Sequence, residues 1–258
     1  MMTPPRYIYR IMHRPGARAR ALINGVPIYD RIVKDNVSPA QPITHWLASG
    51  DNTLTFELSP APLSPNTPYL GAHFTMLIRE VKEEEKIEEI DLFAWSYPNS
   101  LVDKELPTTL PLVHTEVFHV SADLPTPEYA KATREEFPEE GTPELRAAVF
   151  ELYDAFANRD GARFDKAMEV KYAEFDRYYE LPSTAKADAV QEMNAPWIME
   201  PFNEHDLRFE RYLDGRLARV YRASGRQAVR AVHRDEPYLG WGTDFFLTRL
   251  DGRWRIYW

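Results

Sequence analysis

Two-residue turn signals recur along this chain and limit the folds open to it. Asn24-Gly25, Asp214-Gly215, Ser224-Gly225 and Asp251-Gly252 each stand between short runs that are rich in aromatic and β-branched residues. Glycine and asparagine adopt left-handed backbone angles at little cost, so these pairs favour tight antiparallel hairpins. The sequence therefore predicts antiparallel strands near both ends of the chain.

The first part of the chain is typical of strands joined by proline-rich breaks. Residues 7–11 place Tyr7, Tyr9 and Ile11 on one face. Residues 53–58 alternate strictly between threonine or glutamate and large apolar side chains, the period-2 pattern of a half-buried strand. Several short strands with such breaks predict an all-β sandwich over residues 1–121.

The pattern changes in the second half. Residues 122–142 are polar and acidic with three prolines, and we interpret them as a linker. Thr142 suits a helix N-cap and Pro143 the first helical position. Apolar residues then recur at helical spacing, and hairpin strands return after His205. Helices followed by a hairpin-rich sheet predict an α+β domain over residues 143–258.

A motif in the N-terminal part carries a family resemblance. Leu47, Gly50, Asn52, Leu54 and Phe56 match the pattern L-x-x-G-x-N-x-L-x-V, and this region resembles the jelly-roll, galactose-binding-like domains. In that family the motif is mostly architectural, while sugars bind through loops. The resemblance therefore implies a scaffold here, with carbohydrate binding as a weaker alternative.

Two tryptophans are the candidates for such carbohydrate binding. Trp46 and Trp95 could serve as stacking platforms for a sugar ring. Core positions are the alternative for both.

The C-terminal part resembles the NTF2-like, cystatin-like α+β fold. The resemblance rests on residues 149–168, VFELYDAFANRDGARFDKAM, and residues 245–258, FFLTRLDGRWRIYW. It implies a curved sheet packed on helices around a cone-shaped cavity. Some members are isomerases or dehydratases and many only bind ligands or proteins, so fold alone does not choose the function.

An enzyme in that cavity would need a carboxylate or histidine base together with a polar donor. No specific motif places such a pair, and neither a G-x-S-x-G nor a P-loop motif is present. We therefore expect no catalytic set, and the weak candidates are Asp244, His205, Tyr172, Asp176, Tyr178 and Tyr179.

Charge and composition exclude several further classes of function. The chain has 31 basic and 40 acidic residues and no cysteine. An acidic balance argues against binding to a phosphate backbone, and the absence of cysteine excludes disulfides and thiolate chemistry. His114 and His119 would lie on opposite faces of a strand, so we expect no metal and no cofactor.

Five arginines between residues 216 and 230 could meet an anion, although pairing with nearby carboxylates is the simpler expectation.

The lengths of the apolar runs in the sequence bear on cellular location and on membrane contact. The first twenty residues hold no apolar run of signal-peptide length, and no stretch approaches a membrane span. We therefore expect a cytoplasmic protein with no membrane partner.

Two acidic segments are candidate contact regions. Residues 80–89, EVKEEEKIEE, predict a solvated hairpin tip, or alternatively a patch for a basic partner. The patch would comprise Glu83, Glu84, Glu85, Glu88 and Glu89. The acidic linker is the second candidate region.

The leading hypothesis is a non-enzymatic cytoplasmic binding protein that contacts another protein, for example a bacterial immunity-type protein that neutralises a toxin. The alternative is a small-molecule binder or an isomerase or dehydratase that uses the C-terminal cavity. A closed apolar cavity with a buried Asp or His facing a Tyr would favour chemistry. A cavity plugged by Trp197, Phe202 or Trp241 would favour binding by the outer surface.

Overall fold

The computed structural model describes residues 6–61, 73–83, 87–98, 110–179, 181–236, 238–243 and 245–257. Over these residues the protein is mostly β, with four sheets and four α-helices. The chain divides into two compact units, Met1–Thr126 and Pro127–Trp258. None of the helices in the described ranges is both long enough and apolar enough to cross a membrane.

The first unit consists of two antiparallel sheets of four strands each. Their orders are β4-β1-β6-β7 and β3-β2-β5-β8. The strands are β1 (Arg6–Arg14), β2 (Ala17–Ile23), β3 (Val26–Ile32), β4 (Ala40–Pro42), β5 (Gly50–Pro60), β6 (His73–Glu83), β7 (Ile87–Tyr97) and β8 (Leu112–Val120).

The predicted strand faces are confirmed in this unit. Tyr7, Tyr9 and Ile11 of β1 are buried, as are the alternate apolar residues of β5. Asn24 and Gly25, between β2 and β3, both have positive φ, at 51° and 82°. The hairpin therefore forms where the turn signal predicted it.

The inner faces of the two sheets pack against each other through aromatic rings. Phe56 of β5 stacks on Trp95 of β7, with ring centroids 4.2 Å apart and planes 10° apart. Phe74 of β6 also meets Phe56, at 5.8 Å between centroids. Buried His13 of β1 places Nδ1 2.8 Å from the Tyr29 hydroxyl of β3, which adds a polar link between the sheets.

The second unit combines four helices with two sheets. Sheet orders are β10-β11-β14-β15 and β13-β12-β9. The helices are α1 (Pro143–Ala157), α2 (Gly161–Ala167), α3 (Glu169–Tyr179) and α4 (Ala185–Met193). The strands are β9 (Trp197–Met199), β10 (Leu207–Tyr212), β11 (Leu217–Arg222), β12 (Val229–His233), β13 (Gly240–Thr243), β14 (Phe245–Leu250) and β15 (Arg253–Ile256).

Helix caps explain where these helices begin. The Thr142 hydroxyl accepts a hydrogen bond from the Leu145 N–H, as the sequence predicted for α1. The Asp160 side chain caps α2 by accepting from the Arg163 N–H. A break at Met168 separates α2 from α3.

Residues 127–142, which fall in the predicted linker, belong to the second unit. They contain a 3-10 helix, Glu128–Lys131, and two buried aromatic residues, Tyr129 and Phe137. Phe137 meets Trp254 of β15 edge to face, with centroids 5.6 Å apart. This segment therefore packs as part of the unit's core.

Candidate functional site

Within the described ranges, His205, Tyr172 and Asp176 do not form a water-shielded set. His205 lies in a 3-10 helix, Glu204–Asp206, with its side chain 80% exposed. Tyr172 and Asp176 lie one turn apart on α3, where Tyr172 is half-buried and Asp176 is exposed. Burial raises the pKa of Tyr172 to about 12. Asp244 lies outside the described residues.

Both candidate stacking tryptophans are buried. Trp46 packs on His45, with ring centroids 4.7 Å apart. Trp95 stacks on Phe56 and on His114, at 4.2 and 5.5 Å between centroids. Neither indole is available to a sugar in this conformation.

The polar residues of the galactose-binding-like motif are used to hold its own turns. Buried Asn52 accepts from the Ala48 N–H at 2.8 Å and donates to the Ala48 and Gly50 carbonyls. Asn24 donates to the same Asn52 oxygen at 2.8 Å. These amide groups therefore bond to one another and to the backbone.

The acidic patch of residues 83–89 is only partly described. Glu84 and Glu85 lie outside the described residues, and so do the side chains of Glu83 and Glu88. Glu89 forms ion pairs with Arg10, at 2.7 Å, and with Arg79, at 2.5 Å. The carboxylate that can be placed is therefore paired within the chain.

The arginines of the C-terminal hairpins also pair within the chain. Arg222, Arg226 and Arg230 all approach Glu200, at 3.2, 2.9 and 3.9 Å. Arg222 is buried, and its guanidinium lies 4.9 Å from the centre of the Phe202 ring. The Glu200 carboxylate thus neutralises part of a charge that could otherwise have bound an anion.

Three partly buried aromatic side chains lie against the core of the second unit. Trp197, Phe202 and Trp241 pack against its apolar core. Trp241 stacks on Phe156 at 4.5 Å between centroids, and Phe202 stacks on Phe150 at 5.0 Å. These stacked pairs tie Trp241 and Phe202 to helix α1.

Glu174 of α3 is a buried carboxylate that the sequence analysis missed. Its Oε1 accepts from the Glu128 backbone N–H, at 2.8 Å, and from Arg177, at 3.0 Å. Its Oε2 has no hydrogen-bond partner among the described residues. Burial raises the pKa of Glu174, against the opposing effects of the Glu128 N–H and Arg177.

The surroundings of Glu174 indicate a structural role. Tyr178 and Tyr257 are fully buried, and Tyr257 meets Tyr129 edge to face, with centroids 5.2 Å apart. Burial raises the pKa of all three tyrosines, and the nearby Glu174 adds to the effect. Glu174 therefore fastens the 3-10 helix to α3 in a place where a substrate has no access.

A groove of about 120 Å³ opens on the surface of the second unit. Its lining combines three carboxylates and one guanidinium with the aromatic pair Phe137 and Trp254. The lining residues are Glu135, Glu136, Phe137, Thr142, Glu144, Arg249 and Trp254.

The fold holds this groove in a defined shape. The Gly215 Cα lies so close to the Glu135 backbone that an added Cβ would come within 1.8 Å of the Glu135 carbonyl oxygen. Arg249 pairs with Glu135 at 2.5 Å, while Glu136 is 97% exposed. Hydrogen bonds from its own N–H and from Thr142 lower the pKa of Glu144, which keeps this exposed carboxylate ionised.

Metal binding has no support in the described part of the chain, where no group of three or more His, Asp or Glu side chains could hold an ion. His114 bonds to Glu116 and His119 to Asp51, each at 2.8 Å. In comparisons with known proteins, the chain matches no protein-family model, no curated protein and no solved structure.

Proposed function

We propose that the protein is a non-enzymatic cytosolic binding protein that acts through contacts with another protein. The observation that carries this proposal is the packing of Trp197, Phe202 and Trp241 against the apolar core of the second unit. These partly buried rings support recognition by the outer surface over binding in an interior chamber. Asn52, Glu89 and Glu200 support the same conclusion, because each of these side chains forms hydrogen bonds or ion pairs with other residues of the chain.

The proposal also includes a fold family for each unit. We assign the first unit to the galactose-binding-like β-sandwiches and the second to the NTF2-like α+β fold. The Asn52 turn and the face-to-face aromatic packing support the first assignment. The order of helices followed by hairpins, with the terminal pair β14 and β15, supports the second.

The acidic groove is the proposed contact site, and its proposed ligand is a basic side chain of the partner. The groove is lined by three carboxylates and one guanidinium, and Arg211 approaches Glu136 at 3.9 Å, which leaves a net charge of about −1. The Trp254 and Phe137 rings add apolar surface to the lining. A volume of about 120 Å³ holds about four waters, well below the 300–1,000 Å³ of typical small-molecule pockets. Its size therefore suits the end of one lysine or arginine side chain.

A toxin-neutralising, immunity-type role is the specific version of this proposal. Proteins of this kind cover a partner's site with a rigid surface and do not need a reactive centre. The net charge of −9 and the absence of cysteine fit a cytosolic protein that binds a basic partner. Complementary charge would also speed the association of the two proteins.

The test compares charge reversal in the groove with charge reversal elsewhere. The full chain is immobilised to capture partners from a lysate of the native host, as wild type and as the Glu136→Lys/Glu144→Lys variant. A matched control, Asp188→Lys/Glu192→Lys, makes the same charge change on exposed positions of α4. We expect the groove variant to lose a partner that the wild type and the control retain. Retention of every specific partner by the groove variant would contradict the proposal.

A further inference from the structure

Most sheet edges of the first unit carry features that prevent further strand pairing. Exposed edges are commonly blocked by prolines, by charges or by short strands. Edge strand β3 contains Pro27 and Asp30, and β4 is three residues long and ends at Pro42. Edge strand β7 carries Glu89 and Asp91. These three edges therefore resist pairing with another chain.

Strand β8 differs from those three edges. It is nine residues long and contains no proline, lysine or arginine. Within the described strands it pairs with β5 alone. Its outward residues Val113 and Val117 are 69% and 60% exposed, with Thr115 between them. A long edge with exposed β-branched side chains is a favourable template for a further strand.

The sequence of β8 is complementary to itself about Thr115. When two copies of this strand run antiparallel with Thr115 opposite Thr115, Val113 of one copy meets Val117 of the other. His114 then meets Glu116, and Leu112 meets Phe118. Apolar residues thus face apolar residues, and the one acidic residue faces an imidazole. Pairing of this kind satisfies the two-fold symmetry of an isologous dimer.

We propose that the protein forms a homodimer by antiparallel pairing of β8 with β8 of a second copy, in the register centred on Thr115. The two four-stranded sheets then join into one sheet of eight strands. On its outer face, two Val–Val pairs flank a Thr–Thr pair, and cross-strand pairs of β-branched residues stabilise antiparallel sheets.

The chemistry of the inner face is compatible with this register. Within one chain, His114 Nε2 lies 2.8 Å from Glu116 Oε1, so both groups already lie on one side of β8. In the dimer, His114 of one copy lies opposite Glu116 of the other copy. The imidazole therefore offers a partner to the Glu116 carboxylate, whose charge would otherwise oppose pairing at this edge. The contact is narrow, because it joins one strand to one strand. We therefore expect a reversible dimer whose population rises with protein concentration.

The first test is cross-linking through an introduced cysteine, which is unambiguous because the natural chain has none. Thr115→Cys places two thiols opposite each other across the two-fold axis, so oxidation should give a covalent dimer. The control Thr53→Cys lies on the same face but one strand further in, on β5. We expect no cross-link from this control. Equal cross-linking of both variants, or of neither, would contradict the proposed register.

The second test uses charge and does not depend on oxidation. Val113→Lys/Val117→Lys places lysines opposite each other twice, so sedimentation should show a monomer at concentrations where the wild type dimerises. Val113→Lys/Val117→Glu places opposite charges together and should restore the dimer. Circular dichroism confirms that both variants fold. A wild type that stays monomeric up to millimolar concentration, or a dimer that both variants leave unchanged, overturns the proposal.

Discussion

The indole ring of Trp241 stacks on the phenyl ring of Phe156, with centroids 4.5 Å apart and planes 28° apart. Trp241 lies on β13 and Phe156 on α1, so the contact joins the three-stranded sheet to the first helix. Phe156 also meets Phe164 of α2 edge to face. These rings pack against the core of the second unit, and the proposed function depends on that packing.

Trp241→Ala should open a cavity and destabilise the protein. Removing a fully buried Trp costs about 3–5 kcal/mol, and because Trp241 is half-buried we expect a loss of about 2–3 kcal/mol in the free energy of unfolding. Urea denaturation measures this loss. Trp241→Phe keeps a ring against Phe156 and should lose about half as much. If Trp241→Ala is as stable as the wild type, the packing of this ring against Phe156 does not stabilise the fold.

Buried His13 should make the stability of the protein depend on pH. Burial lowers the pKa of His13 below its ordinary 6.5, against the effect of the Ala17 carbonyl, so the folded state disfavours the protonated ring. The unfolded chain takes up a proton below about pH 6.5, and the free energy of unfolding falls there by up to about 1.4 kcal/mol per pH unit.

The variant His13→Gln keeps a polar partner for the Tyr29 hydroxyl but cannot titrate. Its free energy of unfolding, measured by urea denaturation between about pH 5 and 6.5, should fall less steeply than that of the wild type. His119→Gln serves as a control, because this side chain is 65% exposed. Equal slopes for the wild type and His13→Gln would show that His13 does not take part.

Glu174 should tolerate an amide better than a truncation. Glu174→Gln can still accept from the Glu128 N–H, whereas Glu174→Ala leaves that donor without its partner, at a cost of about 1–3 kcal/mol. Burial raises the pKa of Glu174 above 4.5, so its protonated form stabilises the fold at low pH. This stabilisation is lost as pH rises through the folded-state pKa. The wild type should therefore lose stability relative to Glu174→Gln as pH increases, and thermal denaturation at several pH values measures the difference.

Asn52→Ala should be among the most damaging single changes in the first unit. It removes the hydrogen bonds to Ala48, Gly50 and Asn24 and leaves buried donors and acceptors unsatisfied. We expect a loss of about 2–4 kcal/mol in chemical denaturation. The control Asn36→Ala, at an exposed position, should change stability by less than about 0.5 kcal/mol. Similar losses for both variants would contradict a scaffold role for Asn52.

Local periodicity predicted the parts of the fold that depend on local geometry. The burial of Tyr7, Tyr9 and Ile11 follows from the period of a strand, which places alternate residues on opposite faces. The Thr142 cap follows from the chemistry of one side chain and the nearest backbone N–H. Both depend on residues close together in the chain, so the sequence alone was sufficient.

The features that could not be predicted from the sequence depend on residues that are far apart in the chain. Glu174 is buried because residues 128–131 and Tyr257 pack over it, and nothing near Glu174 in the chain indicates this. The groove brings residues 135–144 against Arg249 and Trp254, more than a hundred positions later. Glu89 was predicted to be part of an exposed acidic patch, but in the structure it forms ion pairs with Arg10 and Arg79. The sequence alone does not indicate which arginine lies near this carboxylate.

The most direct test of surface recognition is calorimetric titration of a captured partner into three forms of the full chain. These are the wild type, Glu136→Lys/Glu144→Lys in the groove, and Asp188→Lys/Glu192→Lys on α4. We expect the groove variant to weaken binding by at least about tenfold, or 1.4 kcal/mol, and the α4 variant to change it by less than about threefold. Equal affinity of all three forms, or equal weakening by both variants, would contradict recognition through the acidic groove.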